Sequence, residues 1–157
     1  MEGTKNMNTK TILIVDDEAR MRKLLKDFLL QKNYQILEAE DGEKALQIYK
    51  ENQSKINLIL LDVMMPKLDG WSVLRQIRQE NKDIPIIMLT ARSEEQDELF
   101  GFELGVDEYI SKPFRPKVLV ARVEAMLKRT CIQKKENKSY DGIVLIMMEE
   151  LLLLMEN

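Results

Sequence analysis

Three apolar runs in this chain each stop on a polar residue, and that arrangement restricts the fold more than any other feature. Thr11–Val15 reads TILIV and stops at Asp16-Asp17, Leu58–Leu61 reads LILL and stops at Asp62, and Ile86–Leu89 reads IIML and stops at Thr90. Apolar runs without alternation suit strands buried on both faces, which a helix-covered parallel sheet requires. Pro85 stands at the start of the third run, where a strand tolerates the missing N–H. Tyr34–Ala39 and Tyr109–Ser111 are weaker strand candidates, and the second leads into Lys112.

Helical patterns fill the intervals. Met21, Leu24, Leu25, Phe28 and Leu29 recur at helical spacing, and core burial is expected for at least two of Met21, Leu24 and Leu25. Asp41 is placed to cap a second helix, with Ala45, Leu46 and Tyr49 inward, and Asp69 to cap a third, with Val73, Leu74 and Ile77 inward. Ser93, followed by Glu94–Asp97, starts a fourth helix that ends before Gly105, and a fifth runs from about Pro116 to Arg129. Five strands alternating with five helices predict a doubly wound α/β domain, a five-stranded parallel sheet with helices on both faces.

Strand ends in a parallel sheet share one edge, and open α/β sheets place their ligands there. Asp16, Asp17, Asp62, Thr90 and Lys112 are therefore expected to converge. Each has a plain structural explanation when taken singly. Asp16 or Asp17 could cap the first helix, Thr90 could be a satisfied loop hydroxyl, and Lys112 could be a solvated lysine. Jointly those explanations weaken, because carboxylates on one edge repel and raise one another's pKa. A divalent cation and an ammonium would justify gathering them, and few carboxylates supplemented by water suit Mg²⁺. Mg²⁺ and Lys112 can neutralise a transferring phosphoryl group, a carboxylate can accept it as an aspartyl-phosphate, and Thr90 can donate to a phosphoryl oxygen.

Composition narrows the chemistry. The 157 residues include no histidine, which removes His ligands, His bases and His phosphodonors from this chain. There is no G-x-x-x-x-G-K-[ST] or G-x-G-x-x-G loop to hold ATP, so a phosphoryl donor must bring its own activated phosphate. A net charge of −3 gives no electrostatic case for nucleic acid. One cysteine, Cys131, excludes an intrachain disulfide, and no run approaches the ~20 apolar residues of a membrane span. A cytoplasmic setting without membrane partners is expected.

These residues resemble a family. Asp16-Asp17-Glu18, the stretch Leu61-Asp62-Val63-Met64-Met65-Pro66 with Asp69-Gly70, Thr90-Ala91, and Tyr109-Ile110-Ser111-Lys112-Pro113-Phe114 are similar in order and spacing to the receiver domain of bacterial two-component response regulators. The resemblance implies a flavodoxin-like receiver fold over 11–129, with Asp62 as phosphoacceptor. It implies Mg²⁺ held by Asp17, Asp62 and the Met64 backbone carbonyl, with Asp16 acting largely through water. Lys112 would contact the phosphoryl group through a chain that is cis at Pro113. Thr90 and Tyr109 would be the switch pair, and a sensor histidine kinase would dock around Arg20–Leu25 and the Pro113-Phe114 loop. Turnover is expected to be limited to slow self-phosphotransfer and autodephosphorylation, so the chain is not expected to be an enzyme.

Lys112-Pro113-Phe114 with Ala121-Arg122 and Lys128-Arg129 is similar to the OmpR/PhoB type, which dimerises on phosphorylation through its fourth helix, fifth strand and fifth helix. Glu108 and Arg122 match one ion pair across that face, whereas Glu98 and Val118 depart from a second. Around the receiver, 1–10 is expected to be disordered, 130–139 to be a linker, and 140–157 to be the remnant of a C-terminal effector domain. Tyr140–Leu145 (YDGIVL) resembles the opening strand of a winged helix, and no recognition helix follows it. A truncated regulator without direct DNA binding is the expectation. Two alternatives stand beside the phosphorylation switch. One is an interaction module indifferent to phosphorylation. The other is an aspartate-nucleophile phosphatase of the haloacid-dehalogenase type, in which Met64 would occupy the place of the second carboxylate.

Overall fold

The computed structural model describes residues 9–91 and 103–130. In chain order the elements are β1 (Thr11–Val15), α1 (Ala19–Leu30), β2 (Gln35–Ala39), α2 (Gly42–Glu51), β3 (Ile56–Asp62), α3 (Gly70–Glu80), β4 (Ile86–Thr90) and β5 (Glu108–Ser111). A last helix follows at 116–130. The chain divides into two compact units, 1–123 and 124–157, and the sheet lies in the first. The expected fourth helix up to residue 102, and the expected linker and remnant from residue 131 onward, lie outside the described residues, while Glu103 and Leu104 are helical.

The sheet is parallel throughout, in the order β2-β1-β3-β4-β5. After β1 the chain steps one way to β2, and thereafter it steps the other way. With right-handed crossovers, α1 must lie on one face and α2 and α3 on the other. Side chains alternate accordingly. Leu13, Val15, Ile59, Leu61, Ile86 and Met88 join Ala45, Tyr49, Val73, Leu74 and Ile77 of α2 and α3 in one core cluster. The intervening residues Ile12, Ile14, Leu58, Leu60, Ile87 and Leu89 are equally buried, and α1 supplies Leu25 and Leu29. Leu119 and Val123 of the last helix are buried.

Capping follows the sequence at two helices. The Asp41 carboxylate accepts from Lys44 N–H at 2.8 Å and the Asp69 carboxylate from Ser72 N–H at 2.8 Å, each satisfying a donor that the helix itself leaves over. The first helix differs, because its cap position is Glu18 and no side chain caps it. Leu24 corrects a second expectation. It is 39% exposed and Met21 only half-buried, so Leu25 alone of that trio is a full core residue. The apolar stripe is narrower than helical spacing implied because only one strip of α1 faces the sheet.

Boundaries shift slightly. The Lys10 carbonyl accepts from Gln35 N–H at 2.9 Å, so ordered pairing starts just before residue 11. Thr130, expected to open the linker, closes the last helix by donating its hydroxyl to the Met126 carbonyl at 2.9 Å.

At the amino-terminal end of β4 and β5, Arg78 forms a knot. It donates to the Gly105 carbonyl at 2.7 Å, the Asn81 carbonyl at 3.1 Å and the Asp107 carboxylate at 2.9 Å, and the same Asp107 oxygen accepts Ile86 N–H at 2.9 Å. Gly105, at φ 101°, adopts a left-handed conformation that a side chain would strain.

Replacing Asp69 by alanine leaves the α3 amides uncapped. Urea unfolding is expected to show a loss of about 1 kcal/mol, with Asp69→Asn losing far less. Equal losses for the two variants would show that the carboxylate does not act as a cap.

Candidate functional site

The strand order changes direction between β1 and β3, and a crevice opens at their carboxyl ends. Asp16 follows β1 and Asp62 ends β3, so both carboxylates sit at that crevice. The acidic turn is held at several points. Asp16 N–H donates to the Ala39 carbonyl at 3.1 Å, extending the β1–β2 pairing by one residue. The Asp16 carboxylate accepts from Glu18 N–H at 2.9 Å, and the Asp16 carbonyl accepts from the Arg22 guanidinium at 2.6 Å.

The loop after Asp62 folds back on itself. Gly70 N–H donates to the Val63 carbonyl at 2.9 Å, and a Cβ at Gly70 would collide with the Asp62 carbonyl. That close approach admits only glycine. Lys67, with φ 67°, pairs with Asp41 at 3.6 Å and ties the same loop to the start of α2. On the far side, Lys112 N–H donates to the Thr90 carbonyl at 2.6 Å, prolonging the β4–β5 ladder past Ser111. Thr90 is buried one position beyond Leu89, the register partner of Asp62. The Lys112–Pro113 bond is cis, as the resemblance implied.

The predicted convergence is therefore present for four side chains. Lys112 Nζ lies 3.3 Å from Asp16 Oδ2 and 3.6 Å from Asp62 Oδ1. One oxygen from each of Asp16, Asp17 and Asp62 falls within 4.8 Å of the others, the only such group of three among the described residues. Asp16 and Asp62 are 1% and 4% exposed, and Asp17 is open to solvent. Met64 stands 65% exposed at the rim, and its backbone N–H bonds to Asp62.

Charge at this site is not balanced by the protein. Burial above all, then the neighbouring Asp16 charge, raises the Asp62 pKa to about 6, against the pull of Lys112 and the Met64 N–H. Burial likewise raises Asp16, opposed by the Glu18 N–H and by Lys112. Three carboxylates and one ammonium leave an excess of negative charge on hard oxygen donors. That donor set fits a small divalent cation, with water completing the shell.

Three contacts differ from what the sequence alone conveys. Tyr109 stacks on Trp71, with ring centroids 6.2 Å apart and planes 25° from parallel, and its hydroxyl is buried. Trp71, the only tryptophan, lies in the first turn of α3 directly after Gly70, and that proximity was the available signal. Arg22 lies in the segment expected to dock the kinase, yet its side chain turns inward to Asp16. Glu108 and Arg122, expected to pair between chains, form an ion pair within this one.

With this geometry in view, the class is clear: residues 12–124 match the family described as Response regulator receiver domain, and the chain belongs to that family. Its homologues are OmpR/PhoB-type regulators. It is 54% identical over 122 residues to the transcriptional regulatory protein ResD of Bacillus subtilis, covering 78% of this chain and 50% of that protein. The structure superposes on the Francisella response regulator 1452 receiver domain with a TM-score of 0.73 at 32% identity, covering 78% of this chain and 99% of that one. It also superposes on response regulator DrrB, a Thermotoga maritima OmpR/PhoB homolog, with a TM-score of 0.68 at 31% identity, covering 77% and 54% respectively. The chain spans about half the length of the curated relatives it matches. Among the described residues, no helix is long and apolar enough to cross a membrane.

Because the folded pKa of Asp62 lies above its ordinary 3.8, the folded state holds that proton more tightly than the unfolded chain. The metal-free protein is expected to lose stability as pH rises from about 4 through 6, as this carboxylate ionises. Asp62→Asn removes that loss. Its stability gain over wild type should be near zero at pH 4 and reach on the order of 1–3 kcal/mol at pH 7. Parallel thermal-melting profiles for the two proteins across this range would contradict the assignment.

Proposed function

We propose that Asp62 accepts a phosphoryl group from a sensor histidine kinase and that the chain uses the modification as a signalling switch. The observation that carries this reading is the Lys112 ammonium set 3.3 Å from Asp16 and 3.6 Å from Asp62, beside an exposed Asp17. An Asp62 carboxylate oxygen attacks phosphorus with its lone pair, forming the new P–O bond. The bond from phosphorus to the donor nitrogen breaks, and its electron pair leaves with the donor imidazole. Lys112 meets a phosphoryl oxygen and offsets the charge that develops on it. Thr90 donates its hydroxyl to another phosphoryl oxygen. When bound, Mg²⁺ supplies further charge neutralisation, held by Asp17, Asp62 and the Met64 carbonyl, with Asp16 behind water. Met64 stands where a second acid would be needed for rapid hydrolysis, which favours a persistent phosphate over turnover.

The readout proposed is the face of β5 and its flanking helices, through Tyr109 and Thr90. Tyr109 is already packed inward on Trp71, a position that supports coupling to Thr90. Dimerisation through Glu108 and Arg122 would require exchanging the pair made within the chain, and one such exposed pair contributes only ~0–1 kcal/mol. Cytoplasmic placement follows from the proposed kinase partner.

Treatment with acetyl phosphate and Mg²⁺ should add one phosphate to the intact mass, and EDTA should abolish the addition. Asp62→Asn is expected to remain unmodified, and Lys112→Ala to be modified far more slowly. Modification of Asp62→Asn at the wild-type rate would end this reading. Partner binding that ignores Asp62→Asn altogether would favour the phosphate-independent module.

A further inference from the structure

We infer that Arg22 is a positioning residue for the cation site, holding the acidic turn in shape from behind through Glu38. The inference rests on the proposed phosphoacceptor reading and assigns a role to a side chain that this reading does not use. Arg22 lies one helical turn into α1 and is only 16% exposed. Its terminal nitrogen donates to the Asp16 carbonyl at 2.6 Å, while its Nε lies 3.5 Å from Glu38 Oε1 on β2. Glu38 is itself braced by Lys26 at 3.3 Å. The guanidinium therefore bridges β2 and the peptide that joins Asp16 to Asp17.

That peptide needs an external brace. The N-terminal turn of α1 has no side-chain cap. The two carboxylates it carries face Asp62, and mutual repulsion pushes the turn away from the sheet edge. Besides Arg22, the turn is tied by Asp16 N–H to Ala39, by Lys112 to the Asp16 carboxylate and by Glu18 N–H to the Asp16 carboxylate. The last contact belongs to the turn and cannot anchor it to the rest of the fold. Arg22 and the Ala39 carbonyl thus hold the backbone of the turn to the fold, while Lys112 holds the Asp16 side chain. Partners that orient the groups holding a metal commonly alter its affinity by about 10–100-fold when removed.

Electrostatics supplies a discriminating sign. Arg22 is a cation close to a proposed cation site. If charge were its only influence, Arg22→Gln would make the site more negative and tighten Mg²⁺ binding. A positioning role predicts the reverse.

The test titrates Mg²⁺ into the metal-free full chain and follows the amide NMR signals of Asp16, Asp17 and Glu18. Hydrogen exchange at Asp16 and Glu18 is measured separately without metal. Arg22→Gln should weaken Mg²⁺ by about tenfold and speed exchange at both amides, with Leu60 and Leu61 unchanged. Arg22→Lys should fall between the two proteins, because one ammonium cannot serve both the carbonyl and Glu38. Adding Glu38→Gln to Arg22→Gln should change little, since Glu38 acts through Arg22. Unchanged or tighter Mg²⁺ binding in Arg22→Gln would overturn the inference. If Arg22→Gln does not fold, Glu38→Gln replaces it, and wild-type exchange at Asp16 in that variant overturns the inference equally. A wild type that neither binds Mg²⁺ nor takes up phosphate would sink the phosphoacceptor reading itself.

Discussion

Two carboxylates buried at the end of a parallel sheet, sharing one ammonium, set the terms for the rest of this molecule. Asp16 and Asp62 are withdrawn from water, and Lys112 touches both, so one positive charge serves two negative ones. Burying a charge is costly unless it is paired and hydrogen-bonded. The fold tolerates the cost through its hydrophobic sheet, whose central strands are buried on both faces. It limits the cost with backbone donors from Glu18 and Met64. The residual imbalance is what the proposed cation binding and phosphoryl chemistry would draw on.

Much of this was legible in the sequence, for reasons that differ between elements. The strands declare themselves because burial on both faces leaves no place for polar residues, so TILIV, LILL and IIML stand out. Their ends declare the edge, because parallel pairing brings every carboxyl end to one side. Asp41 and Asp69 could be read as caps because an N-cap is a local interaction between neighbours in sequence. Leu24 could not be placed, since its exposure depends on the width of the strip of α1 that meets the sheet. The inward turn of Arg22 and the stacking of Trp71 on Tyr109 could not be read in advance. The Trp71–Tyr109 contact joins elements far apart in the chain, and Arg22 reaches Asp16 nearby, but nothing local distinguishes an inward-turned arginine from a solvated one.

The short distances between site residues also depend on positions without side chains. Gly70 lets the loop after Asp62 return against the Asp62 carbonyl, and Gly42 leaves room for the Leu68 carbonyl where a Cβ would collide. These contacts bring the loop carrying Met64 down over the sheet edge. Lys67, in a left-handed conformation that costs a non-glycine residue energy, is held by its pair with Asp41. The rim of the site is therefore built by backbone packing, while its floor is built by charge.

The Arg78 knot lies at the opposite end of the sheet from Asp62. By fastening the Gly105 carbonyl, the Asp107 carboxylate and, through that carboxylate, the Ile86 amide, it welds the entrances of β4 and β5 to the tail of α3. Arg78 thus sets where β4 and β5 begin, and the ladder from Ile87–Glu108 to Thr90–Ser111 carries that register to the end where Thr90 and Lys112 meet the site.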